Sequence, residues 1–219
     1  MRLVDLSHVV EAGMQTFPGL PGPVICDYLS REASRGRYAP GTEFHIGRID
    51  MVANTGTYVD APFHRYDGAA DLADLPLERL ADLPGVVIEA RRLEVRAIGA
   101  GALAGHDVRG RAVLLRTGWD RWWGTAPYAV GSPFLSRAGA EWLRDAGAVL
   151  VGIDAVNVDD MDDWARPAHT VLLAAGIPIA EHLRGLDQLP ASGFRFSAVP
   201  VKVRGMGTFP VRAYAVVDA

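Results

Sequence analysis

Between positions 54 and 64 the chain places Asn54, Tyr58, Asp60 and His64 around a Gly56-Thr57 step and an Ala61-Pro62 step. This puts a carboxamide, a phenol, a carboxylate and an imidazole within one short segment, a set able to move protons or to hold a cation. A strand-like run from Phe44 to Val52 leads in, Gly56 opens backbone angles closed to other residues, and Pro62 stiffens the exit. The chain can therefore bend where Asp60 and His64 need to converge. An aspartate and a histidine four apart in a turn also suit a purely local hydrogen-bonded pair, so their role depends on what the rest of the chain brings beside them.

A second group lies downstream. Pro167-Ala168-His169 opens a helical pattern, and Ile177-Pro178-Ile179-Ala180-Glu181 reads as an apolar strand ending in a carboxylate. An unpaired carboxylate in such a strand is costly, so Glu181 needs a cation, a histidine or a hydrogen-bond network; a structural salt bridge is the plain alternative. Asp60, His169 and Glu181 together offer two oxygen ligands and one nitrogen, enough for Zn or Mn with water completing the shell.

The segment from Asn54 to His64 resembles the HxGTHxDxPxH signature of the cyclase family, whose members include the bacterial kynurenine formamidases, with isatin hydrolase as a relative. Gly56, Thr57, Asp60, Pro62 and His64 match, whereas Asn54 and Tyr58 stand where the family has two metal-ligating histidines. Further likeness runs through Asp5-Leu6-Ser7-His8, Phe17-Pro18-Gly19, Thr117-Gly118-Trp119, Gly152-Ile153-Asp154, the His169 and Glu181 segment, and the closing Pro200 to Gly205 and Pro210 to Ala213 stretches. The resemblance implies an α/β fold of the swivelling β/β/α kind, a central mixed sheet in one domain over 1–219, and assembly as a homodimer or homotetramer. It also implies hydrolysis of a carbon–nitrogen bond in a small amide, formamide or lactam, in the manner of an arylformamidase. An Asn carbonyl or a Tyr oxygen ligates poorly at neutral pH, since phenol ionises only near 10. The expected site is therefore reduced to one weakly held Zn or Mn at Asp60, His169 and Glu181, or to none, with His64 as general base and acid.

Two other readings use the same residues. In a metal-independent cyclase or dehydratase, Tyr58 and Asn54 polarise a carbonyl and His64 shuttles the proton. A non-catalytic binder would keep the pocket without turnover. Phe17, Trp119 and Trp122 are expected to line that pocket and to favour an aromatic or carbonyl-containing small molecule. Asp154, ending a buried strand, is expected to orient His169. Asp159, Asp160, Asp162 and Asp163 read as a solvated acidic turn rather than a calcium loop. His8, His45, His106 and His182 read as structural or surface residues, with His45 the one able to reach the site.

The elements that must position these groups are mostly strands. Gly85–Ala90, Ala112–Gly118 and Val149–Asp154 have the density of buried strands, and the chain closes with runs at Phe196–Val203 and Val211–Val217. Helices are expected at Ser136–Ala146, near His169–Ala175, and briefly at Leu75–Leu80. At 219 residues and 49% hydrophobic content the chain can bury one substantial core, and a net charge of −4 with no basic cluster gives nucleic acid no face. No apolar run is long enough for a membrane span. The first residues lack a signal-peptide pattern and the single cysteine, Cys26, reads as a small buried or half-buried hydrophobe, so a cytoplasmic setting is expected.

Overall fold

The computed structural model describes residues 1–218. In chain order the strands are β1 (Arg2–Asp5), β2 (Val24–Leu29), β3 (Ile46–Asp50), β4 (Tyr58–Asp60), β5 (Leu83–Glu89), β6 (Ala97–Ile98), β7 (Ala112–Arg116), β8 (Phe134–Leu135), β9 (Leu150–Ile153), β10 (Ile179–Glu181), β11 (Ser192–Ser197), β12 (Thr208–Pro210) and β13 (Tyr214–Val217). The α-helices are α1 (Arg31–Ser34), α2 (Ala100–Leu103), α3 (Arg137–Ala146) and α4 (Pro167–Ala174).

Nine strands form one mixed sheet in the order β1-β13-β11-β5-β7-β9-β10-β4-β12. The centre, β5, β7, β9 and β10, is parallel and is flanked by antiparallel pairings on both sides. The central strands are near-continuous apolar runs because both of their faces are covered. Val113, Leu115, Val151, Ile153 and Ile179 pack on one face with Leu143, Leu172 and Leu173 from α3 and α4. Their neighbours Ala112, Leu114, Leu150, Ala180 and Val59 pack on the other with Phe194 and Phe196. Ser136 caps α3 by accepting from the Gly139 amide, and Gly147, at φ +86°, ends it in the left-handed conformation that glycine adopts most readily.

The structure departs from the sequence expectations at several points. The strand placed at Phe196–Val203 lies at Ser192–Ser197, since Pro200 has no amide hydrogen with which to continue a ladder. Thr208–Pro210 forms an edge strand too short to show any periodicity. The segment at Leu75–Leu80 closes only a single 3-10 turn, Leu77–Arg79. Cys26 is exposed, not buried, because it sits on the ribbon of β2 and β3, which pair with each other outside the main sheet.

The arrangement places β4 between β10 and the edge strand β12, antiparallel to both. In the antiparallel register Glu181 lies opposite Tyr58, and Asp60 lies opposite Ile179 on one side and Thr208 on the other. Side chains alternate along a strand, so Tyr58, Asp60, Glu181 and Thr208 all project from the helix-covered face while Val59 and Ala180 enter the opposite core.

Candidate active site

Asp60 is wholly buried at the end of β4. Its Oδ1 accepts a hydrogen bond from the Thr208 hydroxyl and lies 3.8 Å from Nδ1 of His64, which in turn is 2.9 Å from the same hydroxyl. His64 is carried by a 3-10 turn, Pro62–His64, that Pro62 starts directly after the strand. Asp60 Oδ2 is buried, has no hydrogen-bond partner, and faces His169 Nε2 at 3.6 Å, an ion-pair rather than a hydrogen-bond distance. Ligand atoms of Asp60, His64 and His169 all lie within 4.8 Å of one another, the one cluster with metal-ligand spacing among the described residues. A buried carboxylate oxygen without a donor, beside two imidazoles, is what a cation site presents before its ion, so these residues fit a metal.

Glu181 does not join that cluster. Its Oε2 accepts from the Tyr58 hydroxyl at 2.7 Å and its Oε1 from the Val158 amide at 2.6 Å, with His169 Nε2 further off at 3.8 Å. Burial pushes the Glu181 carboxyl up to about 7, the His169 imidazole opposing this and the Asp60 charge adding to it. Tyr58 is raised well above the ordinary phenol range by burial and by the charges of Glu181 and Asp60, so it remains a neutral donor. For Asp60, burial opposes ionisation, but the His169 and His64 imidazoles and the Thr208 hydroxyl outweigh it and the carboxyl is held below its usual value.

The residue that orients His169 is Asp159. One Asp159 oxygen accepts from the Ala168 amide at 2.6 Å, and the other accepts from the His169 amide at 3.1 Å and meets Nδ1 at 2.7 Å. With Nδ1 held there, Nε2 points to Asp60. Burial works against a charge on His169, yet Asp159, Asp60 and Glu181 together raise it to about 10. Asp159 is itself fully buried, which overturns its assignment to a solvated turn. Asp154, expected in that role, instead accepts from the Thr117 amide and hydroxyl and the Gly118 amide, fixing the turn after β7; burial pushes it up to about 6 against those bonds.

Above this floor is a cavity of about 420 Å³ lined by Asn54, Tyr58, His64, His169 and Glu181, with Phe17 and Leu20 from the loop before β2 and Arg65 and Arg166 at the rim. Phe17 is thus one of the lining residues. Trp119 and Trp122 are absent from the lining. Trp119 donates its indole N–H to the Tyr128 carbonyl and packs against the core, while Trp122 lies half exposed under the Arg121 guanidinium. His45 is exposed on the ribbon, 2.8 Å from Asp27, and replaces no ligand. His182 has a structural place, its Nδ1 2.8 Å from the Tyr128 hydroxyl and its Nε2 3.3 Å from that of Tyr58. Thr208, Arg65 and Arg166 had no sequence signal, because strand pairing and the turn before α4 bring them in; the buried Asp159 was masked by the acidic residues that follow it.

A mixed sheet bearing an Asp-His-His cluster where β4, the turn after it and the start of α4 meet defines a single-domain α/β protein with a candidate cation-binding active site. Residues 4–160 match the model of the Cyclase family, and the chain belongs to that family. A kynurenine formamidase of Salinibacter ruber (strain DSM 13855 / M31) is 33% identical over 220 residues, covering 97% of this chain and 96% of its own. A solved structure described as a potential metal-dependent hydrolase with cyclase activity matches with TM-score 0.80 at 25% identity, over 98% of this chain and 96% of that one. Isatin hydrolase A from Labrenzia aggregata matches with TM-score 0.84 at 24% identity, over 100% of this chain and 94% of its own, a likeness of fold.

Proposed function

We propose that the protein hydrolyses a carbon–nitrogen bond in a small amide, formamide or lactam, using one Zn or Mn held by Asp60, His64 and His169. The observation that carries this is the buried, unpartnered Asp60 Oδ2 facing His169 Nε2. Likeness to kynurenine formamidases supports the reaction class. A metal at these atoms supplies Lewis acidity toward a carbonyl and acidifies water. The chain's own groups do the rest. Tyr58, a neutral donor, hydrogen-bonds the substrate carbonyl or returns to Glu181; Glu181, raised toward neutrality, takes a proton from the attacking water and returns it to the departing nitrogen. The water oxygen bonds to the carbonyl carbon as the C–N bond breaks. Relative to the expectation from sequence, His64 and Glu181 exchange roles, because His64 falls within the Asp60–His169 cluster whereas the Glu181 oxygens accept from Tyr58 and Val158 outside it. Phe17 and Leu20 suit an aromatic or otherwise apolar substrate body.

Elemental mass spectrometry on untagged protein tests the metal. About one Zn or Mn per chain, lost in Asp60→Asn and in His169→Ala, is the expected result. A value near zero that incubation with metal leaves unchanged would sink the metal site and leave acid–base chemistry. One observation favours that second reading: carboxylate oxygens of Asp159, Asp60 and Glu181 lie 2.7, 3.6 and 3.8 Å from the His169 ring nitrogens, so an imidazolium there can itself serve as the buried cation. In that reading Tyr58→Phe abolishes turnover and chelator does not.

We further propose a homodimer or homotetramer working in the cytoplasm. The exposed apolar ribbon of β2 and β3 supports the assembly, and no helix of the described residues is long and apolar enough to cross a membrane.

A further inference from the structure

Beside the active-site cavity lies a larger one, of about 640 Å³, between the segment following β1 and the turns following β7. Pro18 is common to both linings, and the hydrogen-bonded Tyr128, His182 and Tyr58 stand between them. The mechanism above uses nothing that lines this second cavity. Its wall includes His8, Glu11, Met14, Trp123, Tyr128 and Arg184.

Three features of that wall bear on what it can hold. The Arg184 guanidinium makes no ion pair and no side-chain hydrogen bond among the described residues, although its charge is near enough to help burial hold the His8 imidazole down to about 4. Glu11, on the same cavity, likewise has no ion-pair partner, so the two opposite charges share a cavity without meeting. His8 is stacked on Trp123 with ring centroids 3.9 Å apart, and its Nε2 is buried with no hydrogen-bond partner. A guanidinium recognises a carboxylate through paired N–H donors, and a carboxylate recognises an ammonium. Opposite charges that line one cavity and do not pair leave room for a ligand carrying both. Met14, Trp123 and the Tyr128 ring offer an apolar wall. The volume is in the ordinary range of small-molecule sites.

We infer that this cavity is a second ligand site, distinct from the active site, that takes a free α-amino acid with an apolar or aromatic side chain: Arg184 holds the carboxylate and Glu11 the ammonium. Both charged residues are exposed and outside the core, so their substitution leaves the fold intact.

Isothermal titration calorimetry with L-phenylalanine, 3-phenylpropionate and phenethylamine tests it. Saturable binding of L-phenylalanine is expected, with the deaminated acid and the decarboxylated amine at least about tenfold weaker, since each leaves one wall charge unpaired. Arg184→Gln and Glu11→Gln should each weaken L-phenylalanine binding by about tenfold or more while Asp60→Asn leaves it unchanged. No binding, equal binding of all three compounds, indifference to both wall substitutions, or loss of binding in Asp60→Asn would each overturn the site.

Discussion

His169 owes its orientation to Asp159, whose two oxygens take both amides at the start of α4 and the ring Nδ1. Groups that hold a ligating imidazole by its other nitrogen commonly change metal affinity by about 10- to 100-fold. Asp159→Asn preserves shape but removes the charge that faces the ring. Metal affinity measured by chelator competition is expected to fall by about tenfold or more, with far-UV circular dichroism unchanged. Unaltered affinity would show that packing alone aims the ring. Asp154, although equally buried, belongs to the turn at Thr117 and Gly118, and its substitution acts on that turn rather than on His169.

At the scale of elements, the site depends on how closely the segment ahead of β12 approaches the turn after β4. The Ala61 amide donates to the Gly207 carbonyl at 2.6 Å, and a Cβ on Gly207 would overlap the backbone of His64. Gly207→Ala must push that turn away, carrying His64 from Asp60. Overpacking of this kind typically costs about 1–3 kcal/mol. Urea unfolding is expected to show that loss, accompanied by lower metal content; a variant as stable and as metal-loaded as the parent would mean that the two segments part without strain. Gly56 has a similar constraint at the start of the segment, with φ +67° and the Val10 side chain where its Cβ would stand.

At the scale of the molecule, the ribbon of β2 and β3 is the least self-sufficient part. Every residue of β3 is exposed and only Leu29 of β2 is buried, with Ile25 at 47%, Ile49 at 48% and Tyr28 at 75% exposure. A two-stranded ribbon is marginally stable by itself, and clustered exposed apolar side chains mark contact surfaces. Light scattering at micromolar concentration is expected to give a mass of two or four chains, and Ile25→Asp with Ile49→Asp to reduce it to one. A parent protein of one-chain mass would refute the assembly.

Local chemistry along the chain determined a good part of this protein. Apolar runs such as Ala112–Arg116 and Leu150–Ile153 announce buried parallel strands because both faces need cover, and Ser136 with Gly147 delimits α3 through its caps. The turn at Gly56 and Pro62 was legible for the same reason, since residue type carries it, whereas the pairing of an early Asp60-His64 segment with a later His169 segment was legible through the resemblance to the cyclase family. Long-range geometry was not. Only the folded chain engaged both Glu181 oxygens with Tyr58 and Val158, brought Thr208 across from β12, set Trp119 against the core and buried Asp159 behind His169. Each of those outcomes depends on register and packing between segments distant in sequence, where a side chain's role is set by which neighbour reaches it first rather than by its own type.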